Sequence, residues 1–234
     1  MKKVVIATDS SAYLPKQYVD QYQIPVLPLT LHWEGKSYFD GVDIQAEEFY
    51  QQLAKSKNMA TTSQVTVGQF LEVFKKLLDE GKQVLYLGIS TGISATVNSA
   101  IQAKAELGNP EDLIVMDSKI VSMALSLMVL TVARAADQGA SLKECYQLAQ
   151  DSYSHIGVYF TVDNLEYLHR GGRINSAKRL LGSALNLKPI MEIRDGKIEL
   201  VESVISRKKA LNRMVWLLYT SDAADDPLCI DPGG

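Results

Sequence analysis

The stretch that most constrains this chain is residues 84–100, VLYLGISTGISATVNSA. Residues 84–89 are a short apolar run of β-prone side chains. The chain then turns through Ser90, Thr91, Gly92, Ile93 and Ser94 and continues from Ala95 into a helix-compatible run. A hydroxyl-rich turn between a strand and a helix is a place to hold an anion. The first N–H groups of a helix have no internal partner, the helix dipole is positive there, and Ser and Thr hydroxyls add donors. Gly92 lets the backbone approach a ligand closely. The plainer reading of the same residues is an ordinary N-cap, with Ser94 capping the helix that follows.

The surrounding chain repeats the strand-then-helix theme. Residues 4–8 read as a buried strand ending in Asp9, Ser10 and Ser11, and 13–22 as a short helix with Pro15 near its first turn. Residues 24–33 are a second extended run, whose Pro25 and Pro28 favour an edge position or an irregular entry. Glu34-Gly35-Lys36 and Asp40-Gly41 are turns, and 45–55 has amphipathic helical spacing. ATTSQ at 60–64 is a second hydroxyl cluster, placed before a helix over 67–78. Residues 113–116 form another buried strand, ending in Asp117-Ser118. A mostly buried helix follows over 120–136, and Ser141 with Glu144 makes a capping box. Alternating strands and helices argue an α/β domain over 1–155 with a largely parallel sheet. In such a sheet Asp9-Ser10-Ser11, Ser90-Thr91 and Asp117-Ser118 share the edge where ligands bind.

Composition shifts near Gly157. A strand over 158–162, one or two helical turns over 164–169, the turn Arg170-Gly171-Gly172-Arg173 and a short helix over 176–184 come first. Strands over 187–193 and 197–205, joined through Asp195-Gly196, and a helix from Arg207 complete an α+β domain over 156–218 with antiparallel strands. The fold class is therefore α/β in two domains: a mostly parallel α/β/α sheet, then the α+β part. From Tyr219 the apolar pattern stops. TSDAADDPLCIDPGG has no periodicity, and YTSDAADD looks like translated adapter read-through. Residues 219–234 are expected to be a non-native or disordered tail on a truncated chain.

Several function classes lose support. The chain of 234 residues has a net charge of -3, which gives no basis for nucleic-acid binding. No apolar run approaches the about 18 residues that span a bilayer, and the N-terminus does not read as a signal peptide. A cytoplasmic location is the default. Cys145 and Cys229 form no disulfide framework, and His32, His155 and His169 form no ligand pair, so no metal is expected. P-loop and HExxH patterns are missing.

Taken together, ATDSSAYLP, VLPLTLHWEGKSYFDGVDI, TTSQ, GISTGISATVNSA, IVMDSKIVS, YLHRGGRINSAKRLLGSALNLKPIMEI and RKKAL stand in the order of the DegV family. The chain resembles that family, the fatty-acid-binding proteins that serve bacterial fatty acid kinase, over essentially all of residues 1–216. The resemblance implies two domains with a long-chain fatty acid in a buried tunnel between them. It also implies an ATP-dependent kinase partner that converts the presented carboxylate to an acyl-phosphate, and no cofactor beyond the bound lipid. By position, the family's TSQ threonine falls on Thr62, its turn serine on Ser94, and its GGRI arginine on Arg173, with Arg170 adjacent. The carboxylate would sit between Thr62 and Ser94, with Ser63, Ser90 and Thr91 as neighbouring donors.

Three departures from the family pattern stand out. Ala95 replaces a glycine after the second serine of the turn. Met123-Ala124-Leu125-Ser126 stands where glycines are common after the DS motif. The family's C-terminal histidine near the carboxylate has no counterpart, and neither His155 nor His169 fits its motif.

The physics agrees with a carrier: one carboxylate in an apolar cavity needs several donors, and the tail needs only apolar wall. Leu, Ile, Val and Met of 120–136 and 174–187 are candidates for that wall or for plain core. The alternative is an acyl hydrolase or transferase with Ser94 or Ser90 as nucleophile, which lacks an evident base. Arg170 and Arg173, with Arg207, Lys208 and Lys209, read as a docking face for the kinase or as solvated surface.

Overall fold

The computed structural model describes residues 2–56, 58–163, 165–180 and 187–224. The chain divides into two compact units, Met1–Gly157 with Asp195–Lys197, and Val158–Arg194 with Ile198–Gly234. The first unit runs β1 (Val4–Asp9), a 3-10 turn (Ser10–Ala12), α1 (Lys16–Tyr22), β2 (Val26–Leu27), β3 (Thr30–Trp33) and β4 (Lys36–Phe39). It continues with α2 (Ala46–Leu53), β5 (Thr61–Ser63), α3 (Val67–Asp79), β6 (Gln83–Gly88), α4 (Thr96–Glu106), β7 (Leu113–Asp117), α5 (Met123–Asp137) and α6 (Leu142–Tyr153).

Four of these strands make a parallel sheet in the order β2-β1-β6-β7. Ala7 lies beside Tyr86, and Tyr86 beside Val115. β1 and β6 are near-continuous apolar runs because both of their faces are covered. One face carries Val5, Ala7, Val84 and Tyr86, packed with Phe70 and Phe74 of α3 and Val97, Ala100 and Ala103 of α4. The Phe70 and Tyr86 rings meet edge to face at 4.9 Å. The opposite face carries the alternate residues and is covered by α5 and α6. Each fully buried side chain of this size contributes about 1.5–3 kcal/mol.

The single extended run expected over 24–33 is two strands in two sheets. Pro25 and Pro28 cannot donate to a ladder. The chain pairs briefly with β1 as edge strand β2, then leaves to form β3 in an antiparallel sheet ordered β4-β3-β5. TTSQ, expected as a hydroxyl cluster before a helix over 67–78, supplies the short strand β5, paired with β3 through Leu31 and Thr62. The expected helix follows as α3, starting at Val67. Thr66 accepts from the Gln69 N–H, and Gln69 Oε1 takes the Thr66 N–H at 2.9 Å, a capping box that the sequence reading overlooked. The box expected at Ser141 and Glu144 is present, and hydrogen bonds from Ser141 hold the Glu144 carboxyl below its ordinary pKa.

The second unit holds β8 (Tyr159–Thr161), α7 (Glu166–Arg170), a 3-10 segment (Asn175–Leu180), β9 (Lys188–Arg194), β10 (Lys197–Val204) and α8 (Arg207–Ala224). Its sheet is ordered β10-β9-β8, with β8 antiparallel to β9. Asp195 and Gly196, at φ 49° and 76°, turn β9 into β10. The short helix expected over 176–184 is a 3-10 segment as far as Leu180, and residues 181–184 lie outside the described residues. Helix α8 continues past Tyr219 to Ala224, and residues 225–234 of the expected tail lie outside the described residues. The fold is thus mixed α/β, with one parallel sheet and separate antiparallel sheets.

Candidate functional site

Because β1, β6 and β7 are parallel, their C-terminal ends share one edge, and the hydroxyl and acidic residues gather there. Asp9 is wholly buried at the end of β1. Its Oδ1 accepts from the Ser11 hydroxyl and, at 3.1 Å, from the Ser11 N–H. Its Oδ2 accepts from the Tyr86 hydroxyl at 2.8 Å and the Ile89 N–H at 2.9 Å. Four donors satisfy this carboxylate from within the protein and sew β1 to β6. Burial, followed by the charge and hydrogen bond of Asp9, drives the Tyr86 phenol well above its ordinary pKa.

Asp117, at the end of β7, performs the same task for the next turn. It accepts from the Thr91 hydroxyl at 2.5 Å, the Thr91 N–H at 3.3 Å and the Lys119 N–H at 2.9 Å. The Ser90 hydroxyl donates to the Gly196 carbonyl at 2.6 Å and accepts from the Gly92 N–H at 3.2 Å. Gly92 was expected to admit a ligand to the backbone. What approaches it is this same Gly196 carbonyl, which a Cβ on residue 92 would meet at 2.3 Å. Ser90 and Thr91 therefore brace the turn.

Ser94 and Thr62 are placed differently. Ser94 is half-buried just before α4, whose N-cap is Ala95, with no side-chain cap. The Ser94 oxygen accepts from the Thr96 N–H at 3.3 Å and shares a hydrogen bond with the Thr96 hydroxyl at 2.9 Å. With Thr96 as donor there, the Ser94 proton can be offered elsewhere. The Thr62 hydroxyl takes no partner among the described residues and lines a cavity of about 240 Å3 with Tyr13, Asp40 and Phe49. Gln64, two residues on, donates to Ser99 of α4 at 3.3 Å, tying the segment that carries Thr62 to the helix that Ser94 precedes.

Strand alternation separates Ser63 from Thr62. Thr62 shares a face with its partner Leu31, while the Ser63 hydroxyl meets His32 Nε2 at 2.8 Å on the exposed face, where His32 Nδ1 meets Ser37 at 2.8 Å. The sequence reading missed this Ser-His-Ser line, although the hairpin pairing of His32 with Ser37 was implied by the turn at Glu34-Gly35. Arg170 is ion-paired with Glu166 one turn earlier at 2.5 Å, and Arg173 donates to the Gly171 carbonyl. Both guanidinium groups stand exposed, as do Arg207, paired with Asp163 at 3.2 Å, and Lys208 and Lys209.

On α5, Leu125, Met128, Val129 and Val132 are core, while Met123 and Leu127 are 59% and 57% exposed. Ile174 and Ala177 are buried, and residues 181–186 lie outside the described residues. Among the described residues no group of His, Cys, Asp and Glu could hold a metal ion, and no helix is long and apolar enough to cross a membrane.

A family model described as "Uncharacterised protein, DegV family" matches residues 3–230. The chain belongs to the DegV family. A DegV domain-containing protein from Caldanaerobacter subterraneus is 36% identical over 218 residues, 93% of this chain and 76% of that protein. One from Listeria monocytogenes is 36% identical over 214 residues, 91% of this chain and 75% of its own length. Among solved structures, DegV of Bacillus subtilis, described as a fatty acid binding protein, superposes with a TM-score of 0.86 at 30% identity, covering 96% of this chain and 79% of that one. A stearic acid-binding protein from Eubacterium ventriosum gives a TM-score of 0.85 at 29% identity, over 96% of this chain and 78% of that one.

Proposed function

We propose that this chain binds a long-chain fatty acid and presents its carboxylate to a separate ATP-dependent kinase for acyl-phosphate formation, without chemistry of its own. The observation that carries the reading is the match, at TM-scores of 0.85 and 0.86, to DegV proteins described as binding fatty acids. The geometry supports a division of labour. Thr62 and Ser94 hydrogen-bond the carboxylate, while Ser90 and Thr91 keep the turn in shape. The two hydroxyls donate from separate segments, one strand and one helix entry, so no lysine is needed at the head group. The tail lies along apolar wall in a tunnel, gaining about 0.8 kcal/mol for each buried CH2. Arg170 and Arg173, with the basic first turn of α8, form the face that meets the kinase.

The nucleophile reading finds no support in the geometry. Among the described residues no histidine is hydrogen-bonded to Ser90 or Ser94, and a neutral serine needs a base. The test is lipid retention. The Thr62→Ala, Ser94→Ala double variant, purified from a bacterial host, is expected to lose its bound fatty acid while keeping its circular dichroism spectrum. Undiminished lipid in that variant contradicts the site.

A further inference from the structure

Strand β5 is asked to present the Thr62 hydroxyl, and little in its own sequence holds it in place. It has three residues, Thr61, Thr62 and Ser63, all exposed, and it lies at the edge of its sheet, paired with β3. A strand with a buried apolar face resists slipping, because a shift of one residue would bring that face into water. β5 has no such face, and each of its side chains carries a hydroxyl. A slip by one would put Thr61 or Ser63 where Thr62 stands and turn Thr62 to the opposite side. The flanks are tied down. Trp33 Nε1 donates to the Asn58 carbonyl at 3.2 Å ahead of the strand, and behind it Gln64 donates to Ser99 at 3.3 Å and Val65 is wholly buried. The strand ends at Ser63, so the burial of Val65 does not dictate which way Thr62 points. Among the described residues, the one side-chain hydrogen bond made from within β5 is that of Ser63 with His32.

His32 stands on the middle strand, opposite Ser37 of β4 on one side and Thr61 of β5 on the other. Its Nδ1 meets the Ser37 hydroxyl and its Nε2 the Ser63 hydroxyl, each at 2.8 Å. The ring thus spans the exposed face of the sheet and joins both outer strands. A hydroxyl can donate or accept, so the line closes with either ring tautomer. Ser37 orients the ring, and the ring holds Ser63 on the exposed face. Alternation then sends the Thr62 hydroxyl to the other face, beside Leu31 and into the cavity that Phe49 also lines. Hydrogen bonds between exposed side chains add little to overall stability, but here the competing registers differ little, and a small preference selects among them.

We propose that His32 is a positioning residue for fatty acid binding, which sets the register of β5 and so aims Thr62 at the carboxylate. The proposal rests on the reading of Thr62 as a carboxylate donor. The experiment uses the full chain, delipidated and titrated with oleate, with cross-strand backbone NOEs as a separate readout of register. The parent is expected to show NOEs that pair Leu31 with Thr62 and Thr30 with Ser63. His32→Val keeps a strand-favouring side chain and removes both hydrogen bonds. It is expected to weaken or shift those NOEs and to raise the oleate Kd about tenfold or more. His32→Gln, with an amide for Ser63, is expected to restore the NOEs and return the Kd to within about threefold of the parent. In a Ser63→Ala background, His32→Val should add little, because its partner on β5 is already gone. The parent NOEs or the parent Kd in His32→Val overturns the proposal, and so does a loss that His32→Gln fails to restore. A parent that binds no oleate sinks the carboxylate reading instead, and the NOEs alone then decide whether His32 sets the register.

Discussion

Ser90 and Ser94 stand four residues apart in one turn, and the protein uses them in opposite ways. Ser90 is wholly buried and holds two backbone groups, the Gly196 carbonyl and the Gly92 N–H. Ser94 is half-buried, and its oxygen takes the Thr96 N–H and shares a hydrogen bond with the neighbouring hydroxyl. The same contrast holds on the sheet edge, where Asp9 has every lone pair claimed internally, against Thr62, whose hydroxyl has no internal partner among the described residues. A site that holds a charged head group needs both kinds of residue. Donors must be available, and the turn that presents them must not move when the ligand leaves.

This contrast can be broken from its rigid side. Asp9→Ala leaves the Tyr86 hydroxyl and two N–H groups buried without an acceptor. It is expected to lower stability by about 3–5 kcal/mol, read as a fall in the denaturant midpoint. A loss below about 1 kcal/mol would mean that the carboxylate does not join β1 to β6. Gly92→Ala places a methyl against the Gly196 carbonyl and should cost about 1–3 kcal/mol, even though the substitution would be mild in an open turn. Ser90→Ala should cost about 1–2 kcal/mol and Ser94→Ala less than about 1 kcal/mol, so the pair measured side by side sharpens the distinction. Equal costs would abolish it.

The smallest effect is one of pH. Burial, with Asp9 adding to it and the Ser10 hydrogen bond opposing it, raises the Asp40 pKa above its ordinary value of 3.8. The folded protein then holds that proton more tightly than the unfolded chain does. Asp40 therefore weighs against the fold increasingly as pH rises through 3.8 towards the raised value, and the penalty is complete above it. Asp40→Asn removes the titration. Its melting temperature relative to the parent chain is expected to rise between pH 3.5 and pH 7, and a flat difference would show that Asp40 titrates normally. Tyr13, pushed up to about 12 by burial, then by Asp40 and Tyr50, should stay un-ionised in an ultraviolet titration well past pH 10.

Much of the fold was legible because its signals are local and redundant. Residues 4–8 and 84–89 are apolar on both faces, which is the mark of a strand covered on both sides, and Asp195-Gly196 announces its own turn. The gathering of Asp9, Ser90, Thr91 and Asp117 on one edge followed from parallel strands alone. What sequence could not supply was the partner of each hydroxyl. Thr62 and Ser63 are adjacent in the chain but point to opposite faces, a consequence of β5 pairing with β3 thirty residues earlier. TTSQ carries no strand-length apolar alternation, so only that pairing makes it a strand. Gly92 read as a ligand-facing glycine because Gly196, more than a hundred residues away, is invisible from position 92. The order of helix α8 through Tyr219 to Ala224 follows no apolar stripe and had no sequence signal.

The central claim is that Thr62 and Ser94 hold a fatty acid carboxylate that Ser90 and Thr91 only frame. Native mass spectrometry of the chain purified from a bacterial host tests it most directly, comparing the parent with the Thr62→Ala, Ser94→Ala variant. The account predicts a compact parent carrying an added mass equal to a long-chain fatty acid, and a compact variant without it. A compact parent with no added mass, or a variant that keeps the lipid, would contradict it.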